Sequence, residues 1–218
     1  LKEQLTKGKL FSHIDMTNHS DIIKARNVVA TIKGKTIPQE KVVVGGHLDS
    51  WDLATGAMDN GIGSFAVLDM ARTFQTLHLQ PARTVEFVMF MGEEQGLLGS
   101  RHMVSEAVKD GSIESVKYML NFDMVGRMDS NKLVVNGTGT SPVWNDAMKN
   151  ISSSLHIKTT ESGVGPSDHT SFYLKSMPVL HFFSGQHKDY HKPSDDESKI
   201  NYAGMEEIVG YVMKLIEN

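Results

Sequence analysis

From residue 27 onward, runs of β-branched and aromatic residues alternate with stretches of helical periodicity. The strand-like runs are NVVATIKG (27–34), KVVVGGHLD (41–49), TVEFVMFM (84–91), VKYMLNFDMV (116–125), KLVVNGTG (132–139) and PVLHFF (178–183). The helix-like stretches cover 61–77, 96–108, 141–155, 167–175 and 202–218. In the first of these, Ile62, Ala66, Met70, Phe74 and Leu77 form one apolar stripe. In 141–155, Ser141 is placed to cap the helix and Pro142 to take its first position. Strands separated by helices predict an α/β fold: a three-layer sandwich with a mixed, largely parallel central sheet flanked by helices. The short turn KTIPQE predicts that the first two strands pair with each other, antiparallel.

Composition excludes several classes. The net charge of −4 gives no bulk attraction to nucleic acid or to an anionic membrane. No apolar run approaches the ~20 residues of a membrane span. The chain has no cysteine, so disulfides and thiolate metal sites are excluded, while 10 histidines and 26 Asp plus Glu leave nitrogen and oxygen ligands. LKEQLTKGKL at the start is no signal peptide and lacks an initiating methionine. The expectation is one domain over 1–218, as a fragment or processed form of a longer chain whose targeting segment is absent.

In folds of this class ligands bind beyond the carboxyl ends of the strands. The strand at 41–46 runs into His47 and Asp49, and Asp59 stands just before the next helix. The strand at 84–91 ends in the adjacent pair Glu93 and Glu94, the strand at 116–122 ends in Asp123, and the strand at 178–183 leads to Tyr190 and His191. Two neighbouring carboxylates at the end of a buried strand are costly unless a cation offsets them. Imidazole and carboxylate without thiolate fit Zn²⁺, with Mn²⁺ or Co²⁺ as substitutes. Five or six such ligands exceed one tetrahedral site and point to two metals sharing a bridging carboxylate, an arrangement used in hydrolysis.

GGHLDSWD, GAMDNGIGS, GEEQGLLGS, NFDMVGR, SDHTSFY and DYHKPSD follow one another along the chain. Together they resemble the successive signatures of the co-catalytic zinc aminopeptidase family. That family includes secreted bacterial leucyl aminopeptidases, the plasma glutamate carboxypeptidase and the glutamate carboxypeptidases. HLDSWD is most similar to the plasma carboxypeptidase branch, SDHTSFY and DYHKPSD to the bacterial aminopeptidases. The resemblance implies that His47, Asp59 and Asp123 hold one zinc and that Asp59, Glu94 and His191 hold the other. It implies that Asp49 orients the His47 imidazole, that Tyr190 donates to the oxyanion and that Glu93 is the general base for a hydroxide bridging two Zn²⁺. It also implies a cis peptide at Asp59–Asn60, a peptide substrate and an extracytoplasmic location.

Asp168 and His169 fall at a helix start, where capping and packing are the expected roles. His13, His19, His78, His102 and His156 lie away from the strand ends and are expected to be structural or solvent-facing; His181 lies within a strand, and His187 is given no ligand role. The leading expectation is an aminopeptidase. The alternatives are a carboxypeptidase or dipeptidase of the same family, a single-zinc glutaminyl cyclase, and a non-catalytic receptor such as the transferrin receptor ectodomain. The receptor reading predicts missing ligands, and none is missing.

Overall fold

The computed structural model describes residues 13, 15–17 and 22–217. The readings for residues 1–10 and for His19 lie outside the described residues, as does the last residue of the 202–218 stretch. Seven strands form one sheet: β1 (Val28–Ile32), β2 (Ile37–His47), β3 (Arg83–Phe90), β4 (Val116–Phe122), β5 (Lys132–Asn136), β6 (His156–Thr160) and β7 (Val179–Phe183). Their order is β1-β3-β2-β4-β7-β5-β6. β3, β2, β4 and β7 run parallel, β1 is antiparallel to β3, and β5 is antiparallel to β7 but parallel to β6. The sheet is therefore mixed with a parallel centre, as the alternation of strands and helices predicts.

The parallel strands are apolar on both faces because both are covered. Val42 and Val44, Val85 and Phe87, Leu120 and Phe122, and Leu180 and Phe182 face one side. There they pack against α1 (Ile62–Thr76), α3 (Trp144–Lys149) and α5 (Tyr202–Glu217). Val43, Val88, Phe90, Met119 and Val179 face the other side, toward α2 (Leu98–Asp110) and α4 (His169–Tyr173). Full burial of each large side chain contributes about 1.5–3 kcal/mol. Asn201 starts α5 by accepting from the Gly204 N–H at 3.0 Å, and Met205, Ile208, Val212 and Leu215 supply its buried stripe.

The β1–β2 hairpin expected from the sequence does not form. β3 inserts between the two strands, because the connection at 33–36 hooks around the start of β3. Lys35 N–H donates to Pro81 O at 2.8 Å, Ile37 N–H to Ala82 O at 2.8 Å, and Gly34 N–H to the Thr84 hydroxyl at 3.1 Å. A Cβ at Gly34 would lie 2.5–2.7 Å from the backbone of residues 82–84. Gly34→Ala is therefore expected to destabilise the fold by about 1–3 kcal/mol through overpacking, read as a lower denaturant midpoint.

Three helices depart from their expected bounds. α3 is shorter than 141–155, and its cap position is Val143 with no side-chain cap, so Ser141 and Pro142 precede it. It ends before the serine run at 152–154, where Ser153 Oγ accepts from the Leu155 N–H at 3.1 Å, a local bond that competes with helix. α1 buries Ile62, Ala66, Met70 and Phe74, but Leu77 lies past its end and is exposed. Asp168 precedes α4 without making a side-chain cap.

Candidate metal centre

Strand order reverses around β2: the chain goes from β2 outward to β3, then returns to place β4 on its other side. The crevice beyond the carboxyl ends of β2, β3 and β4 lies at this switch point. His47 is the last residue of β2, Glu93 and Glu94 follow β3, Asp123 follows β4, and His191 lies in the connection after β7. Asp59 comes from a single wide turn, Ala57–Gly61, whose Asp59–Asn60 peptide is cis.

The structure brings these side chains into two triads that share Asp59: His47, Asp59 and Asp123, and Asp59, Glu94 and His191. His47 Nε2 lies 3.2 Å from Asp59 Oδ1 and 3.4 Å from Asp123 Oδ1. His191 Nε2 lies 3.0 Å from Asp59 Oδ2 and 3.2 Å from Glu94 Oε2. The two oxygens of Asp59 are thus divided between the two histidines. Donors about 2.0–2.2 Å from one tetrahedral ion stand at such separations from one another. Yet His47 Nε2, His191 Nε2, Glu94 Oε1 and Asp123 Oδ1 are buried without a hydrogen-bond partner among the described residues. Buried polar atoms left this way are destabilising unless something else satisfies them. A divalent cation in each triad fits that requirement.

The electrostatics agree. Burial disfavours a charged His47, but Asp123 and Asp59 beside it hold it well above the usual imidazole range. Burial pushes Glu93 up to about 8, and Asp123, Asp168 and Glu94 add to this while His47 opposes it. Burial and the Asp59 charge raise Glu94 as well. Crowded carboxylates that resist ionisation are groups a nearby cation stabilises.

Each ligand-bearing segment is pinned by a side chain from another. The Ser64 hydroxyl donates to His47 O at 2.6 Å. Asn60 Oδ1 accepts from the Met124 N–H at 3.1 Å and Asn60 Nδ2 donates to Phe122 O at 2.8 Å, so Asn60 brackets Asp123. Asp195 Oδ2 accepts from the Met58 and Asp59 N–H groups at 3.0 and 3.1 Å. Asp49 accepts from the Glu93 and Glu94 N–H groups at 3.0 and 3.1 Å. The contact expected between the Asp49 carboxylate and His47 is made instead by the Asp49 main-chain carbonyl, 3.0 Å from His47 Nδ1, while the carboxylate stands at 3.8 Å.

Tyr190 is partly exposed and stacks on His191 with ring centroids 3.7 Å apart. Trp51, from the HLDSWD segment, also stacks on His191, at 4.9 Å. A cavity of about 280 Å³ opens beside the triads, lined among others by Glu93, Glu94, Asp123, His169, His181 and Tyr190. His169 and His181 are buried and stacked 4.4 Å apart, and burial lowers both imidazoles, His169 to about 2. Asp168 is fully buried and burial pushes it up to about 7. His13, His78, His102 and His156 are exposed. Trp51, Asn60, Arg127 and Asp195 escaped sequence reasoning, although all four lie inside the quoted motifs.

A sequence model of peptidase family M28 matches residues 27–216. The chain belongs to this family. Over 199 residues, 88% of the chain, it is 33% identical to leupeptin-inactivating enzyme 1 of Streptomyces exfoliatus, of which the match covers 44%. Over 83 residues, 38% of the chain, it is 45% identical to carboxypeptidase Q of Xenopus laevis, of which the match covers 18%. A zinc aminopeptidase of Bacillus subtilis superposes with a TM-score of 0.75 at 27% identity, over 87% of this chain and 49% of that one. The chain thus spans less than half the length of the curated relatives it matches. As in M28 relatives of known structure, a mixed sheet carries flanking helices. No helix among the described residues is long and apolar enough to cross a membrane.

Proposed function

We propose that this M28 chain is the catalytic part of a two-zinc exopeptidase that removes the N-terminal residue of peptides. The observation that carries the proposal is the sharing of Asp59, one carboxylate oxygen toward His47 and the other toward His191. His47, Asp59 and Asp123 would hold one Zn²⁺; Asp59, Glu94 and His191 would hold the second, and Mn²⁺ or Co²⁺ could replace either. Zinc bound there supplies a water acidic enough to attack near neutral pH and an electrophilic contact for the scissile carbonyl. Glu93 stands outside both triads and faces the cavity. It takes the proton of the attacking water and returns it to the leaving amine. Tyr190, at the cavity edge with its phenol pushed up to about 12 by burial and by Asp59, stays protonated and donates to the developing oxyanion. Asp49 fixes the Glu93–Glu94 main chain, which separates the task of base from that of ligand.

The cavity is small for a ligand site, where ~300–1,000 Å³ is common, and suits one residue better than an extended chain. Four carboxylates line it, and none of its described lining residues is Lys or Arg. With Asp59, Glu94 and Asp123 assigned to metal and Glu93 to the base, no cationic side chain is left there to pair a free C-terminal carboxylate, which favours release of an N-terminal residue. The likeness to carboxypeptidase Q supports the second reading, release from the C-terminus. By family likeness we assign the enzyme an extracytoplasmic location. The test is hydrolysis of aminoacyl-nitroanilides before and after chelation. Amino-acid release that stops on chelation and returns with zinc is expected. Cleavage only at the C-terminus of N-blocked peptides would replace this reading with the second, and hydrolysis indifferent to chelation would remove both.

A further inference from the structure

Arg127 lies four residues after Asp123 and joins two buried acids that flank His191 in sequence. Its Nη1 donates to Asp189 Oδ2 at 2.6 Å and its Nη2 to Asp195 Oδ1 at 3.1 Å. The Asp195 side chain is 1% exposed, and its other oxygen holds the Met58 and Asp59 N–H groups. The Asp195 carbonyl also accepts from the Ala57 N–H at 3.1 Å, and the Thr55 hydroxyl donates to Pro193 O at 2.8 Å. On the far side, Asp189 Oδ1 accepts from the Ser194 hydroxyl at 2.7 Å and from Lys199 Nζ at 3.1 Å. Three ligand-bearing segments therefore meet at one guanidinium: the exit of β4, the turn carrying Asp59, and the connection carrying His191.

We propose that Arg127, Asp189 and Asp195 form a positioning relay that acts mainly on the Asp59–Glu94–His191 triad, where it holds two of the three ligands, and less on the other triad, where it holds only the shared Asp59. The asymmetry follows from where the ligands are mounted. His47 is paired with Phe90 in the sheet ladder, and Asp123 directly follows β4, its N–H donating to Phe182 O at 3.3 Å. His191 sits in irregular chain, with φ of 55°, and has no ladder to hold it. The relay supplies the missing rigidity on both sides of His191, at Asp189 and Asp195, and ties it to Asp59 through the main chain. A planar guanidinium with donors in a fixed fork can span two carboxylates, whereas an ammonium acts as a single point charge. Outer hydrogen-bond partners of metal ligands typically contribute 10–100-fold to metal affinity.

The inference rests on the two-zinc reading, and its test separates the two. Arg127→Lys, Arg127→Met and Asp195→Asn are to be titrated with Zn²⁺ and with Co²⁺, following heat and the cobalt absorption bands. Wild type is expected to bind two ions. Each variant is expected to bind the ion held with His191 about 10–100-fold more weakly and the other ion less weakened than that, with Arg127→Lys failing to rescue. Equal weakening of both ions, or no weakening of either, overturns the relay. Should wild type bind fewer than two ions, the two-zinc reading falls, and the relay is judged by amide exchange in the metal-free chain. Asp195→Asn is then expected to speed exchange at Met58 and Asp59 and across 185–195, but not at His47 or in β4. Unchanged exchange at those sites, or faster exchange throughout, overturns it.

Discussion

Glu93→Gln is expected to lower kcat by about 10²–10⁴-fold, the usual contribution of a positioned general base, while zinc content stays at two ions per chain. The substitution keeps volume and removes only the ability to accept a proton. Glu93 belongs to neither triad. Its carboxylate is mostly buried at the cavity, pushed up to about 8 by burial, with Asp123, Asp168 and Glu94 adding to the effect. That pull toward the neutral form belongs to the metal-free site; cations beside it would favour the carboxylate, the form that accepts a proton from water. A loss of ~10³-fold corresponds to about 4 kcal/mol of transition-state stabilisation, far above what a changed surface contact would produce. The paired measurements are kcat on an aminoacyl-nitroanilide and zinc by elemental analysis. Loss of an ion in Glu93→Gln, with both ions retained in Glu94→Ala, would reverse the two roles.

The central sheet was legible because its strands are continuous apolar runs, which only a sheet covered on both faces requires. Val42, Val43 and Val44 are all buried, yet they serve two different cores. β6 was not legible: HIKTT is exposed except for part of Ile157, and only pairing with β5 makes it a strand. The insertion of β3 between β1 and β2 also escaped, since the turn at 33–36 looks like a hairpin until Gly34 is seen pressed against residues 82–84. At the site, the sequence offered side chains at strand ends, and the structure assembles them into two triads. What it hid was the layer beneath. Asp195, Asn60 and Asp49 act on main-chain groups of residues 44–137 positions away, a relation no local pattern encodes.

Asp59→Ala is expected to have the largest effect on metal, because Asp59 alone contributes to both triads. Removing it deprives His47 and Asp123 of one carboxylate oxygen, and His191 and Glu94 of the other. Each set then has two protein ligands, too few for a closed or catalytic zinc site. Both ions should weaken by more than the 10–100-fold typical of outer partners, and hydrolysis should fall below detection. Glu94→Ala is the contrast: it removes a ligand from one triad, so one ion is expected to stay. The fold should survive either change. Asp195 holds Asp59 through its amide and Asp49 holds Glu94 through its amide, and neither anchor uses the side chain that is removed. Elemental analysis after dialysis, beside the thermal midpoint of the metal-free protein, reads both quantities. Two ions retained in Asp59→Ala at an unchanged midpoint would mean that Asp59 bridges nothing, and the shared-carboxylate reading would fall with it.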